Sequence, residues 1–192
     1  MLSQVQPVYQ YYVDASDVIV SVDEWWLAFA KENNATELDE SYVVGRQARE
    51  FIADEPTRSL YKEINAYVRM HDASVTVPFR CDSPTLERYM QLTISKCANH
   101  LLLYESVLVR TVPQSRLRIL DSSLKRSNAF LTMCSFCKRS LIEPAGWLDL
   151  QDISLKLRLF EKQTVPGLRY TVCPKCVSNV PPELRQQQPL SL

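Results

Sequence analysis

The sequence is poor in glycine, which phosphate-binding loops need, and in histidine, the commonest activating base of a nucleophile. It has three glycines, Gly45, Gly146 and Gly167, too few and too scattered for a phosphate cradle. No G-x-G-x-x-G, P-loop or G-x-S-x-G motif occurs. There are two histidines, His71 and His100, and neither lies next to a cysteine or serine that it could activate. There is no excess of either charge, with 22 Lys and Arg against 22 Asp and Glu. That balance argues against a protein built mainly to neutralise phosphates. No apolar run approaches the 20 or so residues of a membrane helix, because the longest, His100 to Arg110, is broken by Tyr104, Glu105 and Ser106. Met1 to Gln10 carries no basic residue and no apolar core, so no signal peptide is expected. These absences point to a cytosolic, non-enzymatic protein without a membrane partner.

What is present is a cysteine pattern. Cys134-Ser135-Phe136-Cys137 and Cys173-Pro174-Lys175-Cys176 form two C-x-x-C pairs with 35 residues between them. Thiolates bind zinc at about 2.3 Å, and four of them close a tetrahedron with no open position for water. A lone C-x-x-C dithiol of thioredoxin type would need a βαβ setting that the pattern lacks. The double pair therefore predicts a structural zinc held by Cys134, Cys137, Cys173 and Cys176, with Lys138, Arg139 and Lys175 offsetting its charge. The spacing exceeds that of a minimal zinc ribbon, so the intervening chain must hold structure of its own. Leu150, Ile153, Leu157 and Phe160 predict a helix with one buried face, and Gly167 is expected to end that excursion. Cys81 and Cys97 read as small buried hydrophobes.

The first 112 residues carry a different signature. Asp17 to Val22 reads as a strand, and Asp23 as the cap of a helix bearing Trp25, Trp26, Leu27 and Phe29, stopping near Asn33-Asn34. Gly45 suits a turn with positive φ. Asp54-Glu55-Pro56-Thr57 is a helix start, and Leu60, Tyr61, Ile64, Tyr67 and Val68 give that helix one apolar stripe to about Met70. The period then changes to two in Val75, Val77, Phe79 and again in Met90, Leu92, Ile94, with a third strand over Leu101 to Arg110. Three strands with short connections predict an antiparallel meander, and Pro78 predicts an edge position or a bulge for the first of them. The class is α+β.

The order of these segments resembles a PAS-type bacterial sensor domain. The resemblance rests on Asp17 to Trp25, on Val44-Gly45-Arg46 with Glu50-Phe51-Ile52, and on Phe79 to Pro84 with Arg88-Tyr89-Met90. The segments Met133 to Lys138, Gly146-Trp147 and Cys173 to Cys176 resemble a tail found after bacterial signalling modules. The resemblance implies a five-stranded antiparallel sheet with helices on one face, able to enclose a small-molecule pocket, and signalling through a protein partner or a homodimer.

Five segments result: an N-terminal extension over 1–14, a PAS-like domain over 15–112, a connector over 113–129, a zinc-ribbon-like module over 130–180, and a flexible tail over 181–192. A second reading is a nucleic-acid-associated regulator, with Arg116, Arg118, Lys125, Arg126, Lys138 and Arg139 forming a local basic patch. His71, ending the long helix, reads first as a solvated turn residue and second as a haem ligand of a sensor.

Overall fold

The structure is a computed structural model that describes residues 7–33 and 35–184. Asn34 and the tail beyond Leu184 lie outside the described residues, and the expected helix stop near Asn33-Asn34 is met at Asn33, the C-cap of the helix over Glu24–Glu32.

Two strands, β1 (Val8–Val13) and β2 (Ile19–Val22), open the chain. Helix α1 (Glu24–Glu32) follows, with the Asp23 carboxylate accepting from Trp26 N at 2.7 Å. A single turn, α2 (Glu40–Val43), leads to Gly45, whose φ of +86° excludes most side chains. Helix α3 (Glu55–His71) starts where Asp54 caps Thr57 N and Pro56 sits in the first turn. The meander follows as β3 (Val75–Arg80), β4 (Leu86–Lys96) and β5 (Leu102–Pro113).

These strands form one antiparallel sheet in the order β2-β1-β5-β4-β3. Pro78 lies on the edge strand β3, where its missing N–H costs no ladder bond. Leu60, Ile64 and Val68 of α3 enter one core with Val13, Ile94 and Leu102 of the sheet. Tyr9 on the same face as Val13 packs against Phe29 of α1 in a tilted arrangement, with ring centroids 4.8 Å apart.

The N-terminal boundary needs correction. The expected extension over 1–14 contains β1, which is an interior strand between β2 and β5. Its sequence, Val-Tyr-Gln-Tyr-Tyr-Val, is rich in residues that favour a pleated, half-buried surface.

A second sheet contains β6 (Arg126–Cys134), β7 (Ser140–Ile142), β8 (Gly146–Leu148) and β9 (Val165–Thr171), in the order β8-β7-β6-β9. β6 and β9 run parallel, joined by a crossover through α4 (Leu150–Lys156). A one-turn helix, α5 (Pro174–Val177), follows β9. Leu117, Ile119, Leu131, Met133, Ile153 and Val165 belong to a separate core beneath this sheet.

Three expectations change here. The segment 113–129 is folded, because Leu117 and Ile119 are buried in the second core and β6 begins at Arg126. Gly167 sits inside β9, where a Cβ would lie 2.8 Å from the Phe130 ring, so it admits a ring packed over the backbone. The tail begins later than Pro181, since Leu184 is buried in the first core.

Candidate metal centre and ligand cavity

The two C-x-x-C pairs meet although they come from distant parts of the second sheet. Cys134 ends β6, and the chain turns to β7 through Lys138, whose φ is +61°. Lys138 N donates to Cys134 O at 3.1 Å, and Cys134 N donates to Arg139 O at 2.8 Å, closing that turn. Cys173 precedes α5, where Pro174 supplies the fixed φ of a first helical position and Cys176 N returns to Cys173 O at 2.9 Å. Pairing of β6 with β9 brings the turns together. Ser135 N donates to Thr171 O at 2.8 Å, and Cys173 N approaches Cys134 Sγ at 3.4 Å.

The four Sγ atoms lie within 4.8 Å of one another. Cys137 Sγ and Cys173 Sγ are 3.7 Å apart. Four sulfurs around one ion with bonds of about 2.3 Å are separated by about 3.8 Å, so the spacing fits a tetrahedral metal centre. Cys134, Cys173 and Cys176 are buried, and Cys137 is partly exposed. Crowding drives their acidities apart. Cys134 is drawn far below the ordinary thiol range by S–H groups of Cys137, Cys173 and Cys176. Cys137 and Cys176 are pushed above that range because they donate to Cys134 and would ionise beside it. A divalent cation would relieve the repulsion that keeps four thiolates from forming together.

The centre is embedded in the first core. Cys134, Phe136, Cys173, Cys176 and Val180 pack with the α3 and β-sheet residues, whereas the α4 residues do not. Ser135 Oγ donates to Asp54 Oδ2 at the start of α3. Arg80 N of β3 donates to Phe136 O at 2.7 Å. Beside that contact lies a buried ion cluster at the β3–β4 hairpin. Arg80 pairs with Asp82 at 2.6 Å and with Glu87 at 2.7 Å, and the Asp82 side chain is 0% exposed. Buried charges persist only when paired in this way. Burial also pulls the Lys138 ammonium below its ordinary value, although Cys81, Asp82 and Cys134 lie close by.

A cavity of about 510 Å³ lies between the sheet and α3. Tyr11, Tyr61 and Tyr104 are among the residues that line it. At its base Tyr104 Oη donates to Asn65 Oδ1, Asn65 Nδ2 donates to Asp17 Oδ1 at 2.9 Å, and Arg69 closes the chain on Asp17 at 2.6 Å. Tyr61 also faces the metal centre, with its ring 6.0 Å from that of Phe136. One aromatic residue thus touches both the cavity and the first cysteine turn.

Most members of the expected basic patch make contacts within the chain. Arg116 binds Asp121, Arg118 donates to Lys162 O at 2.8 Å, and Arg126 donates to the carbonyls of Ile119, Asp121 and Pro166. Lys138 Nζ donates to Ser135 O at 2.7 Å, and Arg139 pairs with Asp149 at 3.5 Å. Lys125 is exposed. His71 ends α3 against the Tyr67 ring, 4.5 Å away, and is exposed; His100 sits at φ +62° in the β4–β5 turn. Neither lines the cavity. Cys81 and Cys97 are half-buried rather than fully enclosed. Among the described residues no helix is long and apolar enough to cross a membrane.

Sequence reasoning missed Asp54, Ser135 and Tyr61 as a connected set. Asp54 was legible as a cap and Tyr61 as part of a stripe, but their partners across the fold carry no local signal. No family model matches the chain, and no curated protein matches it.

Proposed function

We propose that this protein is a PAS-like cytosolic sensory or adaptor module whose cavity takes a small molecule and whose cysteine centre holds a structural zinc. The observation that carries the reading is the shared use of α3. Its stripe covers the sheet and its Tyr61 lines the cavity, while its cap residue binds the turn between two metal ligands. The helices inserted between β2 and β3 cover one face of the sheet, which supports the layout that the PAS resemblance implies.

Zinc is the best match for the centre because four thiolates suit a soft-to-borderline ion without redox chemistry. Four sulfurs leave no coordination site for water, so its role is to hold the second sheet and α5 against α3. An occupied cavity would bias α3, and α3 would pass that bias to the cysteine turn and to a protein partner or second copy bound there. Nucleic-acid binding through the basic segment has less support, because Arg116, Arg118 and Arg126 are already engaged within the chain.

Metal analysis of the purified chain should give one zinc per molecule. Native mass spectrometry of the same sample should show an additional small-molecule mass that is lost on denaturation. Apo-protein that folds normally without any metal would remove the structural role.

A further inference from the structure

The cavity can be read further than its existence, on the premise that it is the ligand site of the sensor. Three of its lining residues are tyrosines that lie together. Tyr11 and Tyr104 stack with centroids 4.5 Å apart and planes 22° apart, and Tyr61 lies 6.3 Å from Tyr104. The Tyr104 hydroxyl is used by Asn65. The hydroxyls of Tyr11 and Tyr61 have no hydrogen-bond partner among the described residues, although both residues line the cavity. A ligand that left them unpaired would incur their desolvation.

The charges around the cavity have one sign in excess. Asp17 is neutralised by Arg69. Arg58 and Glu55 form an exposed pair at 3.5 Å. Arg49 and Lys62 remain, both exposed, both lining the cavity, and neither in an ion pair among the described residues. Exposed Arg49 and Lys62 mark the open side, while the nearly inaccessible Asn65 and Tyr104 mark the base. Arg49 shares the Glu50 carboxylate's field with Arg46, which pairs with it, so the entrance keeps a net positive charge above the aromatic interior.

We infer that the cavity binds a small planar organic anion, an aromatic or conjugated carboxylate. Its ring lies against the tyrosines, its polar ring substituents meet the Tyr11 and Tyr61 hydroxyls, and its carboxylate meets Arg49 and Lys62. A volume of about 510 Å³ accommodates one or two fused rings with room for substituents. A cationic ligand would face that net positive charge, and a purely aliphatic one would leave both hydroxyls unpaired.

The test uses the full metal-loaded chain, with 6-hydroxynaphthalene-2-carboxylate, whose ring hydroxyl can meet Tyr11 or Tyr61, and its neutral isostere 6-hydroxy-2-naphthamide as probes in isothermal titration. The carboxylate should bind at least about tenfold more tightly than the amide, a difference of about 1.4 kcal/mol. Raising the salt from about 0.05 to about 0.5 M should shrink that advantage, because the cations at the entrance are exposed. The double variant Arg49→Gln, Lys62→Gln should abolish it while leaving amide binding unchanged. Ala48→Trp, which fills the cavity, should block both probes. If the amide binds as well as the carboxylate and Ala48→Trp blocks both, the cavity reading stands and the anion inference fails. If Ala48→Trp leaves carboxylate binding intact, the probe binds elsewhere and both fail. Binding of neither probe overturns the inference.

Discussion

Ser135 donates a hydrogen bond of 2.7 Å to Asp54 Oδ2, while the other oxygen of that carboxylate caps Thr57 N at 2.9 Å. One nearly buried carboxylate therefore starts the long helix and also anchors the turn between two metal ligands. The two residues are 81 positions apart, so the bond joins the first sheet domain to the cysteine centre. Ser135→Ala should destabilise the fold by about 1.5–3 kcal/mol, the range for a hydrogen bond to a charged group. Metal release to a competing chelator should also accelerate. Thermal unfolding and a chelator-competition time course read the two effects. Unchanged release kinetics would show that the bond does not hold the cysteine turn.

Removing the metal should affect more than the second sheet. A structural zinc confined to the module over 130–180 would leave the first domain untouched by its loss. The cysteines instead pack in the first core with Leu60, Ile64 and Val77. Cys176→Ser, or chelation of the wild-type chain, should therefore cut amide protection at the first turn of α3 and at Arg80, as well as around Cys134 to Cys137. Hydrogen exchange followed by mass spectrometry resolves these segments. Full protection of residues 54–60 after metal loss would restore the picture of two independent units.

The α4 segment separates what a sequence can and cannot say. Leu150 and Ile153 are buried as their helical spacing predicts. Extending the same period places Phe160 in the core, yet Phe160 is 56% exposed and Leu159 is 1% exposed. The helix ends at Lys156, and Arg158 adopts φ +50°, so the register of 3.6 residues per turn is lost before Phe160. Leu159→Ala should cost about 2–5 kcal/mol, and Phe160→Ala should change stability by no more than about 0.5 kcal/mol. Chemical denaturation of both variants decides the phase; equal costs would contradict the buried position of Leu159.

Elsewhere the local rules held, because the relevant physics is local. Asp23 and Asp54 cap the helices their spacing suggests, Gly45 takes a positive φ, and Val75, Val77, Leu92 and Ile94 turn one face inward. The cysteine cluster was legible because two short turns presenting four sulfurs leave a recognisable spacing. The pairing of β1 with β5 was not, since the two strands are separated by nearly the whole first domain. The parallel pairing of β6 with β9 was hidden for the same reason, and by Gly167, which resembles a chain terminator but makes room for Phe130.

The tyrosines around the cavity impose an alkaline limit. Burial raises the Tyr11, Tyr61 and Tyr104 phenols well above their ordinary value. A group whose acidity is weakened by folding contributes its stability in full below its unfolded pKa of about 10, and loses it as the pH rises further. Above pH 10 each phenol takes about 1.4 kcal/mol per pH unit from the folded state, so three together take about 4 kcal/mol per unit. A domain with about 5–15 kcal/mol of stability should then unfold cooperatively within about two to four units above pH 10. Tyrosinate absorbance should rise in two stages, the second coinciding with loss of helical circular dichroism. Tyr61→Phe should remove about one third of that slope, since its hydroxyl has no protein partner to lose. A single non-cooperative titration of all nine tyrosines near pH 10, with helix content intact, would mean that folding does not weaken the acidity of these phenols.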